Sequence, residues 1–400
     1  MASTDNTMDR IPIRALEACT SFITCDVLTL DYFDRLLELA APRGVNALTL
    51  FMLPDSYYPE TSARKHWEYE VGLDWPSEAY PQYRNPHCPN AHPDTEYVPE
   101  LIRRCHAAGV RFYLRTINNK HRWLYPEHDD WRAQQLRPDG SIEPSEACCW
   151  DIPEFMEYYY GLLGELLGGC SSSKCSSLRE VGHVLHPPSR YTSGPDKADG
   201  IILDQQKCFG PYVNPESRER FREVMGHEMD LKQPDEIMEY WSIRNAQRVK
   251  ETVAFCKAIS PSLEVGVTLE AEKRVHFDTG STGMLHSRFN HRTTGVDFIH
   301  HQIIDHPEDE CFYIWEHLCN DGPTWIMLDP TAADAGWNKA YWGWQPRTPD
   351  SIREEVEKVK RVRDKLSHPE NLMGITEFPI SRLPLDHPNL AACAEVIGRG

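Results

Sequence analysis

One pattern repeats along the 400-residue chain and limits what it can fold into. A short apolar run, rich in β-branched and aromatic residues and often introduced by glycine, is followed by a loop and then a helical stretch. Eight such runs can be read: 18–25 (ACTSFITC), 44–51 (GVNALTLF), 109–116 (GVRFYLRT), 200–204 (GIILD), 263–269 (LEVGVTL), 295–302 (GVDFIHHQ), 322–329 (GPTWIMLD) and 372–378 (LMGITEF). Between them, "DYFDRLLELAAPRG" and "YVPELIRRCHAAG" carry apolar residues at helical spacing and close on Gly44 and Gly109. "PDSIREEVEKVKRVRDKLS" has proline at its start and a basic end, as capping and the helix dipole favour. Strands alternating with helices imply parallel βα units, and continuously apolar strands suit a sheet covered on both faces. Eight units close into a (β/α)8 TIM barrel. The competing doubly wound sheet would carry a Gly-rich phosphate turn after its first strand. Here that strand leads into "CDVLTLDY" instead.

The length beyond a minimal barrel falls mostly after strands, at about 52–93, 117–152 and 330–348. Those connections lie on the C-terminal face, where barrels build active sites. The expected organisation is an N-terminal tail at 1–14 and one barrel domain at 15–400. A Ser-, Gly- and Pro-rich surface insertion is expected at 168–197 ("GGCSSSKCSSLREVGHVLHPPSRYTSGPDK"), on the opposite side of the barrel. Its Cys170 and Cys175 lack companion metal ligands and read as free thiols.

Strand ends supply an unusual number of acids. Asp26, Asp55, Asp204, Glu270, Glu272, Asp305, Asp329 and Glu377 all fall at or just after the runs. A single strand-end acid is more often a helix cap or an ion-pair partner. Asp204 stands out because it ends a wholly apolar strand, while the next helix begins ten residues later, at Asn214-Pro215, with Asn214 the better cap. Arg115, ending the preceding strand, is expected to neighbour Asp204 and keep it ionised. Two carboxyls flanking one bond are what glycoside hydrolysis needs, one to protonate the leaving oxygen and one to attack or to activate water. Glu270 directly follows the next strand and is the expected general acid/base, with Asp329 second.

Aromatic residues favour a sugar as ligand. Eight of the eleven tryptophans lie in the three long loops, among them Trp131, Trp337 and Trp342. Sugar C–H faces lie against such rings while hydroxyls pair with polar side chains. Arg115, Asn118, His121, Trp131, His301, Trp337 and Trp342 are therefore expected to bind substrate. His300 and His301 are adjacent on one strand, so only one of them can point inward.

"DGIILD" followed by "NPESRERF" resembles a segment of the α-L-fucosidase-type (family 29-like) barrel glycoside hydrolases. "YPEHDDWRAQQLRPDGS" at 125–141 resembles their loop after strand three, and "GVRFYLRT" the strand before it, with its Arg. The resemblance covers roughly residues 100–225. It implies a TIM-barrel glycosidase with Asp204 as nucleophile and no cofactor, and it fixes no acid/base. Two departures stand out: the family's paired cysteines are Asn214 and Ser217 here, and "HHQ" replaces a Glu common after strand six.

Two other readings compete. Eighteen histidines would suit a metal-dependent barrel hydrolase, but the end of the first run reads "TCD" where His-x-His would be wanted. A non-catalytic carbohydrate-binding barrel is the other. The net charge of −19 argues against nucleic acid or anionic membrane as partner. No basic n-region with an apolar core opens the chain, no run of about 18 apolar residues occurs, and the thirteen cysteines are scattered. A cytoplasmic protein with reduced thiols is the expectation, monomeric or homo-oligomeric, with a carbohydrate substrate and no metal.

Overall fold

The apolar runs pair side by side and close on themselves. The computed structural model describes residues 11–19, 29–52, 97–116, 119, 121, 124–167, 191–192, 194, 196–204, 208, 210–269, 288–302, 307–328, 347–377, 380 and 383–398. Ten strands are found among them: β1 (Ile13–Cys19), β2 (Ala47–Met52), β3 (Arg111–Thr116), β4 (Arg132–Leu136), β5 (Ile142–Cys148), β6 (Gly200–Leu203), β7 (Glu264–Leu269), β8 (Phe298–Gln302), β9 (Thr324–Leu328) and β10 (Leu372–Glu377). Eight form a closed barrel in the order β1-β2-β3-β6-β7-β8-β9-β10, every neighbour parallel. The helices are α1 (Leu30–Ala40), α2 (Tyr97–Ala107), α3 (Pro153–Leu167), α4 (Pro215–Met225), α5 (Pro234–Ile259), α6 (His291–Thr294), α7 (Glu308–Cys319), α8 (Pro349–Arg363) and α9 (Pro388–Gly398). This is the expected (β/α)8 barrel. The first strand begins at Ile13, five residues ahead of the expected start, and residues 20–25 lie outside the described part.

Helix ends follow their local chemistry. Thr348 and Ser351 form a reciprocal capping box on α8, whose last turn carries Lys360, Arg361 and Arg363. The α1 stretch runs on through a 3-10 turn to Gly44, which takes φ 103°, a left-handed backbone that favours glycine.

Strand alternation sorts side chains into two cores. Leu16, Leu48, Leu50, Phe112, Leu114, Ile201, Leu203, Val265, Val267, Ile299 and Ile326 face outward and pack with the helices. Ile13, Ala15, Ala47, Tyr113, Ile202, Phe298 and Trp325 face inward and form a separate cluster. Three aromatics floor the barrel: Phe298 stacks on Trp325 at 4.0 Å, and Tyr113 meets Trp325 edge-on at 4.9 Å. Each lies over the glycine that is its register partner on the adjoining strand: Tyr113 over Gly200, Phe298 over Gly266 and Trp325 over Gly374. A Cβ at Gly266 or Gly374 would come within 2.3 Å of the ring, and one at Gly200 within 2.7 Å. The glycines are the space the rings occupy.

The connection expected as a loop at 117–152 contains an antiparallel hairpin, β4–β5. Its turn, "RPDGS", is closed by Arg137 N–H to the Ser141 carbonyl at 2.8 Å, with Gly140 at φ 84°. Asn119 ties its base by bonding Cys148 through both backbone and side chain, at 2.7 and 3.0 Å. Asn214 does sit at the start of α4, but its side chain does not cap it. The Asn214 amide instead accepts from Gln134 N–H at 2.8 Å and donates to the Arg132 carbonyl at 2.9 Å. It holds the hairpin to the barrel segment after β6. Much of the 168–197 stretch, including Cys170 and Cys175, lies outside the described residues.

Candidate active site

Buried charged groups converge on β3. Phe51 of β2 and Ile202 of β6 are the register partners of Arg115, so its side chain enters the barrel between those strands, above the aromatic floor. Arg115 donates from Nε and Nη2 to Oδ1 of Asp204, at 3.0 and 2.5 Å. Its Nη1 donates to Glu17 Oε1 and lies 3.2 Å from Met327 Sδ. The guanidinium stands 4.3 Å above the Phe51 ring. All three ionisable groups are sealed: Arg115 is 1 % exposed, Glu17 0 % and Asp204 2 %. One guanidinium thus serves two carboxyls in a dry setting. There the attraction must offset a large desolvation penalty, and loss of one partner leaves a stranded charge.

The two carboxyls differ in surroundings. Burial pushes the Glu17 carboxyl up to about 7, Arg115 opposes the shift and the nearby Asp204 charge adds to it. Burial and the repulsion of Arg115 hold His300 well below the ordinary histidine range, so it stands as a neutral imidazole. Its Nδ1 shares a 3.4 Å hydrogen bond with Thr268 Oγ1.

The structure places the expected site residues as follows. Asp204 and Arg115 meet. His301 was expected to face the substrate, and here the expectation is corrected: Phe298 points inward, so alternation turns His300 inward and His301 outward. His301 Nδ1 accepts from Trp315 Nε1 of α7 at 3.0 Å, which binds strand to helix. His121 and Trp131 are 1 % and 8 % exposed. They pack with Phe155 and Tyr158 of α3 at 5.5 to 6.2 Å between ring centres, and His128 stacks on Trp131 at 3.8 Å. Glu270, Asp329, Asn118, Trp337 and Trp342 lie outside the described residues.

Glu17 was missed. Its signal is an acid inside the strand "IRALEAC", on the same face as Ile13 and Ala15. A second buried cluster lies outside the barrel, where Asp151 accepts from Arg244 and Tyr240, each at 2.7 Å, and clamps the hairpin's end to α5. Among the described residues no group of three His, Cys, Asp or Glu side chains is placed to hold a metal ion. No helix among them is long and apolar enough to cross a membrane. Eight of the described cysteines are buried, and none of these eight is in a disulfide.

Solved structures similar to this closed parallel eight-stranded barrel are named as glycosidases. They include a β-galactosidase from the Antarctic haloarchaeon Halorubrum lacusprofundi, with TM-score 0.55 and 10 % identity over 96 % of this chain and 57 % of that one. A β-N-acetylhexosaminidase follows, with TM-score 0.52 and 13 % identity over 97 % and 72 %. The catalytic domain of β-amylase from Paenibacillus polymyxa has TM-score 0.50 and 10 % identity over 95 % of both chains. The chain thus spans little more than half of the β-galactosidase, and at these identities the likeness is one of fold. No protein-family model and no curated protein matches the sequence.

Proposed function

We propose that this barrel is a glycoside hydrolase acting on a small glycoside or oligosaccharide through two carboxyl groups. The observation that carries the reading is Asp204, delivered at the C-terminal end of β6 and held through one oxygen by two hydrogen bonds from Arg115. Barrel enzymes keep their chemistry at that end of the strands. The solved structures it resembles are named for acting on galactosides, N-acetylhexosaminides and starch-type glucans. The narrower likeness to α-L-fucosidase-type barrels rests on the sequence motifs around β3 and β6.

Asp204 acts as nucleophile or as stabiliser of the positive charge that develops on the sugar ring. Glu270, the residue after β7, protonates the leaving oxygen, with Asp329 as the second candidate. Arg115 orients Asp204. Asn118, Trp337 and Trp342 are proposed to contact the sugar.

The test is a screen of aryl glycosides across sugar types. Asp204→Ala is expected to lower kcat by roughly 10³-fold or more, the scale of losing a group that acts in the transition state. Circular dichroism should show the fold retained. Glu270→Ala is expected to cost about 10²- to 10⁴-fold, least with activated leaving groups. Unchanged hydrolysis by Asp204→Asn sinks the assignment.

A further inference from the structure

One level of the barrel interior holds polar atoms that no described group satisfies. Glu17 Oε2, Thr49 Oγ1, His300 Nε2 and Thr376 Oγ1 are buried and have no hydrogen-bond partner among the described residues, and all four residues are 0 % exposed. Leaving such an atom unpaired costs about 1–3 kcal/mol, so each needs a reason. For Glu17 the reason is in its setting. Its Oε1 accepts from Arg115, while Oε2 meets no donor. An ionised oxygen there would be neither solvated nor paired. A protonated one carries no charge for burial to penalise.

We propose that Glu17 is a positioning residue for the Asp204 site. It stands in the barrel as a neutral carboxylic acid on the Nη1 side of Arg115, and its ionisation draws the guanidinium away from Asp204. Among the described residues, with Glu17 neutral one cation faces one anion. With Glu17 ionised, two anions compete for one cation in a medium that screens poorly. Its ionisation point near neutral pH makes both states accessible to the working protein. The consequence for catalysis rests on the glycoside-hydrolase reading. The charge arrangement itself does not.

The groups that surround Glu17 are consistent with this. Among the described residues, the titratable and charged ones facing the same interior level are Arg115 from β3, Asp204 beyond β6 and His300 from β8. His300 is neutral and adds no charge. β2 and β9 contribute Phe51, Thr49 and Met327, which do not titrate, and β10 contributes Thr376. Glu377 of β10 is the register partner of outward-facing Leu16 and lies on the other side of the wall.

Two measurements on the full chain test this. Difference infrared spectroscopy should show a protonated-carboxyl band that fades as pH rises through about 7, and Glu17→Gln should lack it. Asp204→Asn should move its midpoint to lower pH, because a neighbouring negative charge is gone and Arg115 is left to Glu17. A band that persists in Glu17→Gln, or a midpoint unmoved by Asp204→Asn, overturns the proposal. In hydrolysis, Glu17→Ala should lower kcat by roughly 10²-fold, the scale of a misplaced reacting group, with KM little changed. Glu17→Gln, which keeps the shape and the acceptor, should recover most of that loss. It should also lack the wild-type fall in kcat above neutral pH. An unaltered pH profile in Glu17→Gln counts against the proposal. If the wild type hydrolyses no glycoside, the hydrolase reading falls while the infrared result still decides the role of Glu17.

Discussion

β3 carries the same arrangement twice, four residues apart. Arg111, at the N-terminal rim, donates to Glu264 at 2.7 Å and lies 3.6 Å from Asp199, with its side chain 36 % exposed. Arg115, inside the barrel, joins Glu17 and Asp204 with 1 % exposure. Both are one guanidinium between two carboxyl groups. At the rim, water screens the charges and can replace any lost partner, so the cluster is a modest brace that also receives the Tyr113 hydroxyl on Glu264 at 2.9 Å. Inside, water cannot do so, and the protonation state of Glu17 depends on the charges beside it. The sealed cluster is where the proposed chemistry lies, and the wet one is a brace.

The sharpest way to break the comparison is to remove each cation. Arg115→Met strands two buried acids and is expected to destabilise by about 3–5 kcal/mol, read as a lower denaturant midpoint. The second largest effect is on pH dependence. The folded protein keeps the Glu17 proton up to about pH 7, whereas an unfolded glutamate releases it near 4.5. The stability this contributes is full below 4.5 and lost as pH rises through 7, on the order of 3 kcal/mol. Thermal melts should show wild type losing ground to Glu17→Gln across that window. Next comes the floor between the two clusters. Gly266→Ala drives a methyl into the Phe298 ring and is expected to cost roughly 1–3 kcal/mol. Smallest is Arg111→Ala, expected to cost about 0–1 kcal/mol. A loss at Arg111 equal to that at Arg115 would end the distinction.

How much of this could be read beforehand varied with the physics involved. The barrel was legible because apolar runs at regular intervals have few other ways to be buried. Asp204 was legible because a charge at the end of "GIIL" has no cheap explanation, and Arg115 followed from strand order. Glu17 obeys the same logic but lies just ahead of the apolar run at 18–25. The choice between His300 and His301 is one of parity, fixed only by counting outward from Phe298. The aromatic floor was invisible because each ring fits over a glycine on a different strand, and only the register brings them together. In the hairpin, "RPDGS" between alternating residues was a readable turn, hidden by the charge around it. Asn214 was found at the right place with a different task, since its amide finds stronger partners in the β4 backbone than in its own helix.

The floor has one more implication. Phe298, Trp325 and Tyr113 fill the barrel below Arg115, and beneath them Arg111 and Glu264 tie β3 to β7. Nothing the size of a sugar passes through that plug. On the proposed function, traffic to Asp204 is therefore one-ended: what arrives over the C-terminal rim must back out the same way, and a departing fragment has to clear the path before the next substrate can take its place.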